Sequence, residues 1–158
     1  MGLWYDLYLE WPRGLEAAEA LIDSAFPGRV PGGGGFEPHG CGIALRPAAE
    51  GLDWRPLFGG GFQPSLRATF DIRRFLPDGP FVADGPPEVV RRGADTALRA
   101  SLVLLGASEG DGVFLFYGET PLLLRRGGWV VVSEGPFWDA RRLGWVPWPF
   151  ERAPLPTL

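Results

Sequence analysis

The sequence predicts an α+β fold, in which a mainly antiparallel sheet carries two helices on one face. Two segments have the spacing of helices with one buried stripe, and apolar runs joined by glycine-containing turns follow the second segment. Hairpin-joined strands combined with two helices favour an antiparallel or mixed sheet in a two-layer arrangement. The chain has 158 residues without an internal repeat or a recognisable linker, so residues 1–158 are predicted to form a single domain.

The first half of the chain predicts three strands and one helix. Residues 3–11 alternate as in a strand, with Leu7 on a purely apolar face and Asp6 on the opposite face. Residues 15–26 have helical spacing with acidic residues near the start, which the helix dipole favours. Further strands are predicted at 41–46 and 66–75, loops at 31–40 and 77–87, and an irregular segment at 47–64 anchored by Trp54, Leu57, Phe58 and Phe62.

The second predicted helix covers residues 88–106. Its apolar stripe has the periodicity of a helix with one buried face and consists of Val90, Ala94, Ala97, Leu98, Ser101, Leu102 and Leu105. Asp95 and Arg99, on the opposite face, are spaced for an i, i+4 ion pair. Gly106 is expected to end the helix in a left-handed conformation, which glycine adopts easily.

Three short strands are predicted at 113–117, 122–126 and 129–133. Residues 118–121 connect the first two, and Gly127-Gly128 between the last two predicts a type I′ hairpin, because both turn residues need positive φ. In that register Leu124 faces Val131, Leu123 faces Val132, and Arg126 faces Trp129. The tail after residue 133 is expected to wrap around the domain, with a short helical turn at 139–144.

Composition disfavours several classes of protein and partner. The net charge of −4 does not favour nucleic acid as a partner. A single cysteine excludes an internal disulfide and favours a reducing compartment, and the first residues do not resemble a signal peptide. No apolar run approaches the ~18 residues that a membrane span requires.

The residues show no recognisable catalytic or metal-binding pattern. His39 and Cys41 are too few for a zinc site, and their i, i+2 spacing on a strand (~6.6–6.8 Å) exceeds the ~3 Å hydrogen bond of a Cys–His dyad. The glycine clusters at 32–35 and 59–61 lack the lysine of a P-loop. We interpret the loop acids as solvated turn residues, namely Glu109, Asp111, Glu119 and Glu134. We therefore expect no enzyme activity, no cofactor and no metal.

Residues 66–143 resemble a known family. This segment contains an arginine-bearing helix followed by Gly110-Asp111, then the strings LFYGE at 115–119 and LLRRGGWVV at 123–131. These features are similar to the third family of immunity proteins of the Sit lipoprotein toxin systems of myxobacteria. The resemblance implies a soluble cytoplasmic protein that neutralises a toxin by binding it, and it supplies no catalytic residues.

A binding protein of this kind needs an interface without chemistry of its own. Because Trp, Tyr and Arg carry much of the energy of protein interfaces, we predict a partner-binding site at one end of the sheet. Its predicted residues are Tyr117, Glu119, Arg125, Arg126 and Trp129. We expect Arg126 to be able to stack on Trp129, and we expect removal of Arg125 and Arg126 to weaken binding of the partner without disturbing the fold.

Two other interpretations remain open. A small enzyme would use His39 and Cys41, or the loop acids, and would need a concave pocket in which several of them converge. A homo-oligomeric structural module would seal a symmetric interface with exposed aromatic residues such as Trp129 or Trp145.

Overall fold

The computed structural model describes residues 3–29, 39–72 and 87–158, and these residues form the predicted α+β fold. The strands are β1 (Trp4–Leu9), β2 (Gly42–Pro47), β3 (Leu66–Asp71), β4 (Gly112–Phe116), β5 (Thr120–Arg126), β6 (Trp129–Val132) and β7 (Phe150–Arg152). The helices are α1 (Leu15–Ala25), α2 (Arg55–Phe58), α3 (Pro87–Gly106) and α4 (Ala140–Leu143). The predicted loops 31–40 and 77–87, and the end of the predicted strand 66–75, lie largely outside the described residues.

The sheet is built around β1. Its seven strands have the order β2-β3-β1-β4-β5-β6-β7, and β1 pairs antiparallel with β3 on one side and β4 on the other. Tyr5 thereby lies opposite both Phe70 and Phe116. Among the described strands only the pair β6–β7 is parallel. The sheet is therefore mainly antiparallel, as predicted.

The two long helices cover one face of the sheet. Helix α3 contacts α1 as well as β1, β3 and β4. The predicted stripe is buried from Ala94 to Leu105, but Ala100 and Leu104, outside that stripe, are also fully buried. The buried surface of α3 is wider than one stripe because the helix packs on the sheet and on α1 at the same time.

The opposite face of the sheet is also covered. A second hydrophobic cluster lies there, formed by Tyr8, Leu57, Phe58, Phe62, Val113, Leu115 and Leu124. The C-terminal residues Leu155 and Leu158 pack against this cluster. Asp6, which the alternation of 3–11 places on a polar face, is 0% exposed. The prediction that β1 has one buried face is wrong, because apolar residues distant in sequence cover its other face.

The β5–β6 hairpin has the predicted turn and register. Leu123, Leu124 and Arg126 pair with Val132, Val131 and Trp129, respectively. Gly127 and Gly128 have φ angles of 56° and 83°, as a type I′ turn requires. Local chemistry alone is enough to determine this hairpin.

The β4–β5 connection differs from the prediction. The turn residues are Tyr117 and Gly118, with φ angles of 54° and 73°, and the Glu119 amide donates to the Phe116 carbonyl at 3.3 Å. Strand β5 begins at Thr120, and the register shifts between Phe114 and Leu115 because an extra residue is accommodated as a bulge. Tyrosine seldom adopts positive φ, so the sequence did not reveal the turn.

Three expectations about the helices and the tail have different outcomes. Gly106 does not have positive φ, so the expected left-handed helix end is wrong. Asp95 binds Arg141 and Arg142 in place of Arg99, because the tail brings α4 alongside α3. The predicted turn at 139–144 is confirmed as α4, in which the Asp139 side chain caps the Arg142 amide. Strand β7 was not predicted.

Candidate functional site

The five residues predicted to bind a partner fall into two groups at opposite ends of β5. Tyr117 and Glu119 belong to the β4–β5 turn, whereas Arg125, Arg126 and Trp129 adjoin the β5–β6 turn. Seven residues of extended strand separate the two turns, a distance of about 20 Å. The expectation of one contiguous site is therefore not met, because successive turns of a hairpin meander lie at alternate ends of the sheet.

Arg125 is an internal residue of the fold. It is 6% exposed, and its guanidinium donates to the carbonyls of Leu105 (2.7 Å), Ser108 (2.8 Å) and Gly110 (2.6 and 2.9 Å). Burial lowers the pKa of Arg125 from its ordinary value, although the nearby Asp111 carboxylate opposes this shift. The side chain therefore connects β5 to the segment between α3 and β4, and its removal is expected to disturb the fold.

Arg126 and Trp129 lie on the surface, where they face each other across the β5–β6 ladder. Trp129 is 78% exposed, and Phe150 of β7 is 37% exposed. Trp129 and Phe150 line a shallow apolar hollow of about 360 Å³ together with Val130 and Pro149. Within the described part of the chain no cation–π contact joins Arg126 to Trp129, and both side chains are exposed. We call Arg126, Trp129 and Phe150 the tryptophan surface.

The second group surrounds a strained turn above a buried carboxylate. Tyr117 packs edge-on against Trp4, with ring centroids 4.6 Å apart. Glu119 is exposed, and its carbonyl accepts a hydrogen bond from the Leu158 amide at 3.0 Å. Below the turn, one oxygen of the buried Asp6 accepts from Arg67 Nε (3.0 Å) and Thr69 Oγ1 (2.8 Å). The turn is thus held by contacts from β1 and from the tail.

His39 and Cys41 do not form a catalytic dyad. His39 Nε2 lies 2.8 Å from the Pro27 carbonyl, and its ring packs edge-on against Phe26. Cys41 is 1% exposed, and burial raises the pKa of its thiol to about 12. A thiol in this state supplies no thiolate nucleophile near neutral pH.

The loop acids do not converge on a metal or an acid pair. Asp111 accepts a hydrogen bond from the Gly127 amide at 2.8 Å, which gives it a structural role beside the β5–β6 turn. The other three, Glu109, Glu119 and Glu134, are exposed. Residues 3–29, 39–72 and 87–158 contain no group of three His, Cys, Asp or Glu side chains that could hold a metal ion. No helix in these ranges is long and apolar enough to cross a membrane.

Comparison with known families gives a match over nearly the whole chain. The profile of the SitI3-like family matches residues 3–142, which include every strand from β1 to β6 and the three helices α1, α2 and α3. The chain belongs to the SitI3-like family. This agrees with the resemblance to the third Sit immunity family and extends it from residues 66–143 to the first half of the chain. No curated protein and no solved structure gave a match.

The tryptophan surface includes residues inside and outside the range that the SitI3-like profile matches. Arg126 and Trp129 lie within residues 3–142, whereas Phe150 lies in the following segment. Sequence reasoning missed Phe150, because a three-residue strand that pairs in parallel has no detectable periodicity. The only available signal was an aromatic residue next to Pro149 in a tail rich in tryptophan.

Proposed function

We propose that this SitI3-like protein neutralises a protein toxin by binding it directly, without a catalytic step, and that it does so in the cytoplasm. Membership of the family is the observation that carries the proposal, because the family is one of Sit immunity proteins. The single buried cysteine and the lack of converging metal-binding or acidic groups in the described residues are compatible with a binding role.

The tryptophan surface is the contact that we propose for the toxin. Binding energy concentrates in Trp, Tyr and Arg side chains that a partner can desolvate. Trp129 is the most exposed of the large apolar side chains described, and Arg126 presents a cation next to it. Because Phe150 extends the apolar area across β7, a partner that buries the indole also buries the neighbouring hollow.

We assign the other predicted residues different roles in this proposal. Tyr117 and Glu119 form a second, smaller contact at the far end of β5, which only an extended partner would reach together with Trp129. Arg125 contributes indirectly, since it fixes the strand that carries Arg126.

The test begins with identification of the partner and ends with neutralisation. The tagged chain retrieves candidate partners from native lysate, and each candidate is then expressed in a host alone or together with the chain. We expect one candidate to arrest growth alone and to be harmless in the presence of the chain. Calorimetry with the purified pair then measures the dissociation constant.

Variants locate the contact. Trp129→Ala and Arg126→Ala are each expected to weaken binding at least tenfold, because they remove hot-spot side chains. Leu52→Ala and Arg46→Ala are matched controls, since both side chains are exposed elsewhere, and they are expected to bind like the wild type. Normal affinity in the first two variants would move the contact elsewhere, whereas the absence of any neutralised partner would reject the function.

The same purified protein shows whether the chain is a monomer or a homo-oligomer. Light scattering of the pure protein should give the mass of one chain of 17.2 kDa. A dimer that dissociates in Trp129→Ala would instead assign the tryptophan surface to self-association.

A further inference from the structure

We propose that the cavity at the β4–β5 end of the sheet is a binding site for a small uncharged molecule with an apolar body and one hydrogen-bond acceptor. This site is separate from the tryptophan surface, which lies at the other end of β5. Its volume of about 460 Å³ is within the ~300–1,000 Å³ of typical small-molecule sites.

The walls of the cavity are mostly apolar and come from β1, β4, β5, the segment after β6 and the tail. Tyr5 and Phe116 contribute from the centre of the sheet, Leu122 from β5, and Phe137 from the segment after β6. Leu155 of the tail closes another side. The aromatic rings support one another, since Tyr5 lies 5.2 Å from Phe116 and 5.8 Å from Phe137 between ring centroids. These mutual contacts fix the shape of the cavity before any ligand arrives.

Tyr5 is the polar group that selects the ligand. The residue lines the cavity and is 6% exposed, but its hydroxyl oxygen is not one of the buried side-chain atoms that lack a partner, so it keeps contact with solvent. An acceptor on a ligand would take the place of that solvent contact, and the net gain is that of one exchanged hydrogen bond. Burial raises the pKa of Tyr5 to about 12, which keeps the hydroxyl protonated as a donor at neutral pH.

The rim of the cavity disfavours anions. Glu134 is exposed and lines the opening, next to Ser133 and Thr120, which are neutral. A ligand carboxylate would meet the Glu134 charge and would also have to leave water for an apolar cavity. Neutral alcohols, ketones and amides with a compact hydrocarbon body satisfy both the cavity walls and Tyr5.

Three probes of equal ring size test the proposal by NMR titration of the full chain. Benzyl alcohol has an acceptor, toluene lacks one, and benzoate has a charge. We expect benzyl alcohol to cause saturable shifts of the Thr120 and Ser133 amides and to bind about 3- to 10-fold more tightly than toluene, the contribution of one hydrogen bond. Benzoate is expected to cause no saturable shift in the wild type.

Three variants provide the controls. Tyr5→Phe keeps the ring contacts and should abolish the preference for benzyl alcohol over toluene. Thr120→Trp places an indole at the opening and should weaken both neutral probes, whereas Ala20→Trp, on an exposed position of α1, should not. Absence of saturable binding by either neutral probe, or a preference that persists in Tyr5→Phe, would overturn the proposal. Unchanged amide spectra of the unliganded variants establish that they fold.

Discussion

Arg125 is a charged side chain that forms hydrogen bonds inside the fold. Its guanidinium bonds to the Leu105 carbonyl in the last turn of α3 and to the Ser108 and Gly110 carbonyls in the irregular segment between α3 and β4. The Leu105 carbonyl also accepts from the Ser108 amide at 3.2 Å, so Arg125 adds a second donor there. The arginine thus supplies hydrogen bonds that secondary structure does not.

The first prediction concerns this residue. Arg125→Ala should lower the free energy of unfolding by about 2–5 kcal/mol, because it leaves buried carbonyls unpaired and opens a cavity. Arg126→Ala, one position along on the exposed face, should change it by less than about 0.5 kcal/mol. Urea denaturation measures both, and similar values for the two variants would contradict the internal role of Arg125.

The second prediction concerns pH and Cys41. The buried thiol titrates near 12, compared with an ordinary pKa of 9.0, so between these pH values the folded state keeps a proton that the unfolded state has lost. Stability should therefore fall as pH rises through this window, by at most ~1.4 kcal/mol per pH unit from this group. Denaturation at pH 8, 9 and 10 should show a shallower fall for Cys41→Ala, and equal slopes would argue against the raised pKa.

At the scale of elements, the two hairpin turns make different demands on their residues. The Gly127-Gly128 turn adopts positive φ without strain, whereas Tyr117 holds positive φ with a bulky side chain. The Tyr117 ring packs against Trp4 and Phe116, and these contacts offset the strain of its positive φ.

The third prediction tests the glycine turn. Gly128→Val should lower stability by about 1–3 kcal/mol, because a β-branched residue is strained at a φ of 83°. Gly106→Ala provides the control, since this helical glycine has no atom near the position of a Cβ and does not have positive φ. Thermal melts should show the alanine variant equal to or more stable than the wild type. A tolerated Gly128→Val would mean that the turn can change type.

These two turns also show which parts of the fold could be predicted from sequence. The β5–β6 register follows from two glycines between apolar runs, all within a dozen residues. The β4–β5 turn depends on Trp4, which is distant in sequence, so no local pattern reveals it. The same limit applies to the candidate sites: Trp129 was identified from its type, whereas Phe150 and the internal contacts of Arg125 depend on which segments the fold brings together.

At the scale of the whole molecule, the two faces of the sheet are covered by different kinds of structure. Helices α1 and α3 cover one face together with the first part of the tail, while α2, its flanking loops and the last residues, Leu155 and Leu158, cover the other. The alternation in residues 3–11 predicted only the first of these layers, because irregular segments carry no periodic signal.

The fourth prediction tests whether the second layer stabilises the protein. Phe58 is fully buried between Phe62, whose ring centroid is 3.9 Å away, and the sheet. Phe58→Ala should cost about 3–5 kcal/mol, the usual range for loss of a buried aromatic side chain. Leu52→Ala, in the same irregular segment but 41% exposed, should have little effect. If both variants denature at the same urea concentration, the second layer does not contribute to the stability of the domain.

The central position of β1 also has a consequence for biosynthesis. The ribosome produces this strand before either of its neighbours, and its β4 partner is complete only at Phe116. At about 5–20 residues per second, Leu7 and Leu9 wait on the order of 5–20 s for that partner. During that interval the apolar residues of β1 are exposed on a nascent chain, so the cell must keep this strand from aggregating until β4 has been translated.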